Sequence, residues 1–94
     1  MPTDVSYAAA AAKEVSITFA EITANSDSAA INITVYGARI GQTPIVTLRA
    51  ALEAGITYKQ NPFVSAANTV SLYLHNHTGG NVTPAAQTAD LILL

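Results

Sequence analysis

Val70-Ser-Leu72-Tyr-Leu74-His-Asn76 alternates apolar and polar side chains with a period of two. A chain can satisfy that pattern only as a β-strand with one face against a core, because successive side chains of a strand point to opposite faces. The phase puts Val70, Leu72 and Leu74 inward and Ser71, Tyr73 and His75 outward. Small residues, Ser65-Ala66-Ala67-Asn68, form a bend before the strand, and Thr78-Gly79-Gly80-Asn81 turns the chain out of it. The Val64–Gly80 stretch therefore fixes a register, and the rest of the chain is expected to build on it.

The same alternation marks other strands. Val15-Ser-Ile17-Thr-Phe19 is one, and its parity slips at Ala20-Glu21-Ile22, where a bulge or bend would restore it. After the turn cluster Asn25-Ser-Asp27-Ser28, residues 30–36 place Ile31, Ile33 and Val35 on one face and Asn32, Thr34 and Tyr36 on the other. These two strands are expected to pair antiparallel. Gly37 and Gly41 flank a short link and call for positive φ, not a phosphate loop, since no Gly-Lys-Ser/Thr follows. Ile45–Leu48 has apolar residues on both phases and reads as a strand buried on both sides. Arg49–Gly55 is a single turn or loop, Ile56–Gln60 opens a strand that Asn61-Pro62 interrupts, and Thr88–Leu94 closes the domain. On that last strand Ala89, Leu91 and Leu93 share the core face, while Ile92 and Leu94 suggest that the other face is covered by a partner. Six or seven short strands with no intervening helix predict an all-β, small antiparallel β-sandwich over residues 15–94. The alanine-rich residues 1–14 read as a separate N-terminal arm, either a mobile terminus or a segment that would order only against a neighbouring subunit.

Composition narrows the function classes. Ninety-four residues bury one core, and the absence of cysteine removes disulfides and thiolate metal sites. Charged residues are 11% of the chain, against roughly 25% in an ordinary soluble domain. So few charges suit a surface that neighbours desolvate at little cost. A net charge of −2 with Lys13, Arg39, Arg49 and Lys59 scattered gives no phosphate-binding face, so no nucleic-acid partner is expected. No run is long enough for a membrane helix and no secretory signal stands at the start, so no membrane partner is expected and synthesis is placed in a cytoplasm. Asn32, Asn76 and Asn81 each head an Asn-x-Thr triplet, a chance product of threonine-rich strands.

The chemistry-bearing residues are few. His75 and His77 are two apart, so a strand would place both imidazoles on one face, making them the only metal candidates; two ligands are too few for a stable site, and no metal or other cofactor is expected. No Gly-x-Ser-x-Gly, cysteine nucleophile or glycosidase-like carboxylate pair is present, so the chain does not read as an enzyme. Tyr7, Tyr36 and Tyr73, with His75 and His77, are the candidate partner contacts, tyrosine being common at interfaces. Tyr36 and Tyr73, both on polar phases, would line one outer face; the four tyrosines, Tyr7, Tyr36, Tyr58 and Tyr73, would equally serve a carbohydrate-binding module.

Gly37-Ala38, Gly41, Ala54-Gly55-Ile56, Val64-Ser65-Ala66-Ala67-Asn68-Thr69-Val70, Asn76, Thr78-Gly79, Pro84-Ala85 and Thr88 fall in an order that resembles small tailed-phage virion structural proteins, over roughly residues 22–94. The resemblance implies a bacteriophage capsid decoration (cement) protein with a β-sandwich fold. It would be a homotrimer on the capsid surface of the virion, with the major capsid protein as its partner. The alternative within the same resemblance is a head or tail appendage or fibre module that binds a receptor or glycan.

Overall fold

A computed structural model describes residues 13–94, and among them there is no helix. The described residues form six strands: β1 (Lys13–Ile17), β2 (Ile31–Thr34), β3 (Pro44–Leu48), β4 (Ile56–Ala66), β5 (Thr69–Asn76) and β6 (Gln87–Leu93). They make two three-stranded antiparallel sheets, ordered β1-β6-β3 and β2-β5-β4. The protein is a small all-β sandwich, as the alternation predicts. Ile17, Ala89 and Leu91 from the first sheet close on Ile33, Ile56, Val64, Val70, Leu72 and Leu74 from the second. Val70, Leu72 and Leu74 are 0–1% exposed, so β5 has the predicted phase and, as the middle strand, sets the register of its sheet.

The pairing of the first two strands is not the expected one. β1 pairs with β6 and β2 with β5, in different sheets. Residues 18–30 are too long for a tight hairpin, and the parity slip marks where the chain leaves one sheet for the other. Phe19 and Ile22 both stay buried, and Ile22 exchanges backbone hydrogen bonds with Val82 (2.8 and 3.0 Å). The first strand also begins at Lys13, so Lys13 and Glu14, assigned from sequence to the arm, pair with Leu91 and Asp90. The rest of the arm, Tyr7 included, lies outside the described residues.

Two further expectations are corrected. β4 runs without a break through Asn61-Pro62 for 11 residues. It absorbs them with register shifts between Tyr58 and Gln60 and between Gln60 and Phe63. β4 is an edge strand and Pro62 falls within a register shift, the two settings in which a sheet tolerates proline. β3 is buried on one side only: Val46 and Leu48 pack on the core, whereas Ile45 is 44% exposed.

Turns use the residues that their backbone requires. Asn68, at φ 62°, closes the β4–β5 hairpin, and asparagine is among the few side chains that enter this region readily. Its backbone and side chain also hold the turn after β2, through Val35 N (2.8 Å), Gly37 N (2.8 Å) and the Ala38 carbonyl (2.9 Å). Gly55, at φ 83°, precedes β4, and a Cβ there would run into Thr78 Cγ2. Gly55→Ala is expected to destabilise the fold by at least the roughly 1–2 kcal/mol of a left-handed non-glycine residue, read as a lower urea midpoint. An unchanged midpoint would show that the Gly55–Thr78 packing is not needed.

Candidate interaction surfaces

The sandwich has two outer faces with different chemistry. On the β1-β6-β3 face, alternation sends Glu14, Thr88, Asp90, Ile92, Ile45 and Thr47 outward. Glu14 and Asp90 are register partners, and like charges placed opposite one another repel. Arg49 resolves this from the loop after β3. It donates to both oxygens of Asp90 (3.2 and 2.7 Å) and to Glu14 (2.6 Å). That pairing holds the Asp90 carboxyl below its ordinary range. Beyond the two threonines the face becomes apolar: Ile45 opposes Ile92, and Leu94, 62% exposed, continues the line. Ile92 and Leu94 are the residues that the sequence marks for a covered face; Ile45 joins them because β3 is one-sided.

The β2-β5-β4 face is polar and aromatic. Phe63 and Tyr73 hold their rings within 6° of parallel, with centroids 6.3 Å apart. Lys59 Nζ stands 6.0 Å from the Tyr73 ring centroid and makes a 2.8 Å ion pair with Asp27. The other oxygen of Asp27 pairs with His75 Nδ1 at 2.6 Å. Asp27 is brought there by the segment before β2, whose Ser28 N bonds the Leu74 carbonyl and whose Ser26 carbonyl accepts from Asn76 N. On the far side of the rings Ser71 Oγ donates to Asn32 Oδ1 (2.6 Å) and meets Ser65 Oγ (2.7 Å).

The sequence places His75 and His77 on one face, and their rings meet edge-on with centroids 4.4 Å apart. Their partners differ: His75 is bound to Asp27, and His77 Nε2 to the Thr57 hydroxyl at 2.9 Å. Among the described residues no group of three or more His, Cys, Asp or Glu is arranged to hold a metal ion. Tyr36, 77% exposed, is not beside Tyr73. It stands in the turn beyond β2, where its carbonyl accepts from Lys13 Nζ (3.0 Å). Phe63, Lys59 and Asp27 were not foreseen, because Asp27 reads as a turn residue and the β4 shifts decide which side chains reach Tyr73.

Lys59 and His75 together depress the carboxyl pKa of Asp27, Lys59 having the larger effect. A carboxyl with a depressed folded pKa stabilises above its ordinary value of 3.8 and loses that contribution as pH falls through the folded value. Asp27→Asn is therefore expected to flatten the fall in urea midpoint between about pH 5 and pH 2. An acid limb as steep as that of the native protein would remove Asp27 from the account.

Asn76, the last residue of β5, is the buried polar centre of this end of the fold, at 0% exposure. Its amide donates to the carbonyls of Ile22 (3.0 Å) and Gly80 (2.9 Å), and its oxygen accepts from Thr78 N (2.8 Å) and Thr78 Oγ1 (2.7 Å). The 76–80 turn is thus a structural corner, and Asn76 is closed to glycosylation. Searches against family models, curated protein sequences and solved structures find no match to this chain.

Proposed function

We propose that the chain is a non-enzymatic virion protein, a bacteriophage capsid decoration protein that binds the assembled major capsid protein as a homotrimer and stabilises the shell. The observation that carries this reading is the Ile45–Ile92–Leu94 strip, with Ile45 and Leu94 exposed and Ile92 half-buried, on the outer face of a domain only 11% of whose residues are charged. An apolar strip with one compact charge cluster beside it suits a protein contact, whose centre is apolar and whose rim is polar. The resemblance over residues 22–94 supplies the identity of the partner. Binding an assembled shell in preference to free subunits shifts the assembly equilibrium toward the intact particle.

A second reading, a head or tail appendage module that binds a receptor or glycan, is favoured by the Phe63–Tyr73 ring pair on the opposite face. Mixing purified protein with capsids that lack it separates the two. Saturable binding that Ile45→Asp abolishes supports decoration, and no binding to the shell contradicts it. Truncation tests the arm and should remove residues 1–12 only, because Lys13 and Glu14 belong to β1. Lower capsid occupancy is expected.

A further inference from the structure

The edge strands of the two sheets differ in how they are guarded. β3 begins at Pro44, and β4 carries Lys59, Pro62 and register shifts, devices that keep an edge from pairing with another chain. β2 has neither proline nor charge, and β1 has its charges only at its first two residues. Among the described residues β1 pairs only with β6 and β2 only with β5, so both have an open outer edge. The two edges lie on the same side of the sandwich. Between them runs a groove of about 470 Å³, with Glu14, Val15 and Ser16 on one side and Asn32 and Thr34 on the other. At Thr18 and Asn32 it meets a second hollow of about 180 Å³, which Ile31 lines. Val15 and Ile31 pack on the core but are only half-buried.

An open edge of this kind takes an extended segment, whose backbone continues the ladder and whose alternate side chains cover the apolar groups below. The chain contains a segment with that pattern. Asp4-Val5-Ser6-Tyr7 repeats the acidic-Val-Ser-apolar order of Glu14-Val15-Ser16-Ile17, which makes up most of β1. Extended, it puts Val5 and Tyr7 on one face. Its position in the chain decides whose groove it reaches. β1 starts at Lys13, whose ammonium donates to the Tyr36 carbonyl, just past Thr34, at 3.0 Å. Residues 1–12 therefore join the domain at one end of the groove. Filling the groove of the same copy would need a reversal between Tyr7 and Lys13, where all five residues are alanine and none is a turn former. Twelve extended residues reach about 40 Å, more than the two shorter dimensions of the domain, 24 and 18 Å.

We infer that Asp4–Tyr7 of one copy adds as a strand to a neighbouring copy, in the groove between that copy's β1 and β2, with Val5 and Tyr7 over Val15 and Ile31. Each copy gives one arm and receives one, a head-to-tail contact that closes into a ring. The inference deepens the homotrimer part of the reading above and rests on it for the neighbouring copy. It leaves the Ile45–Ile92–Leu94 strip free for the shell.

The chain has no cysteine, so Ser6→Cys gives a single site for a nitroxide spin label. Spin-labelled full chain without 15N is mixed in urea with 15N-labelled native chain, and the two are refolded together. The amides of residues 14–18 and 31–34 in the 15N copies are expected to broaden. A second sample, with 15N and nitroxide on the same chain diluted into excess unlabelled native chain, should leave those amides sharp. Sedimentation equilibrium gives the oligomer, and Val5→Asp and Tyr7→Asp should each weaken association by about tenfold. Circular dichroism confirms that both variants are folded. A trimer without broadening between copies puts the arm elsewhere and overturns the inference, while the homotrimer stands. Broadening only in the diluted sample assigns the arm to its own groove and also overturns it. A native chain that sediments as a monomer removes both the inference and the homotrimer. Binding to capsids is measured separately.

Discussion

Asn76→Leu is expected to lower stability by about 3 kcal/mol, and the urea midpoint and melting temperature should show it. The side chain is fully buried and makes four hydrogen bonds that tie the end of β5 to the Ile22 crossing and to the 78–80 turn. Leucine fills the space and removes all four. The Ile22 carbonyl retains Val82 N, and the Gly80 carbonyl can take the Thr78 hydroxyl hydrogen that Asn76 no longer accepts, but Thr78 N is left without its acceptor. For a domain of this size such a loss corresponds to a drop of roughly 12–24 °C. Asn76→Asp is the sharper variant. It keeps the acceptor toward Thr78 but turns a carboxylate oxygen toward the two carbonyls. At neutral pH its cost should exceed that of leucine, and it should shrink as pH falls and the carboxyl protonates. A variant as stable as the native protein at neutral pH would mean that the corner is not the anchor described.

Leu74→Ala is the second large effect, at about 2–5 kcal/mol for a fully buried leucine. Leu72→Ala should match it, since both are 0–1% exposed on the same face of β5. Between them Tyr73 points outward, and Tyr73→Ala should cost about 1 kcal/mol, the loss of its pairing with Phe63. The contrast matters more than the magnitudes. A register shifted by one residue would exchange the two faces, and the tyrosine would then be the costly substitution.

The phase of β5 was legible because alternation is a local property that survives any choice of neighbour. Ile31, Ile33 and Val35, and likewise Ala89 and Leu91, reach the core for the same reason. Pairing was not legible, because β1 and β2 have patterns that would suit one hairpin equally well. What separates them is the long crossing through Ile22. β4 was misread at Pro62 because a proline that interrupts a central strand is accommodated at an edge, and edge position is a property of the whole sheet. Much of the resemblance to phage proteins lies in residues that now have structural work. Gly37, Gly41, Gly55 and Asn68 occupy positive-φ turns, and Asn76 and Thr78 make the buried corner. Those positions describe a fold, which is why capsid binding stands as a proposal of function.

The two surfaces were unequally visible. Ile92 and Leu94 could be picked out because they break the polar phase of a closing strand. The Phe63–Tyr73 ring pair could not, since Phe63 meets Tyr73 only through the β4 register shifts, and Asp27 reaches Lys59 and His75 only after the chain has changed sheets. His75 and His77 were correctly placed together, but their partners are Asp27 and Thr57.

Location in the particle tests the central claim most directly. For the proposed decoration role, immunogold labelling of particles purified from cells that express this chain, with quantitative mass spectrometry of the same particles, reads both position and copy number. The account predicts label spread over the head surface, at a copy number that scales with that of the major capsid protein. Label confined to the tail, or absence of the chain from purified virions, would contradict it.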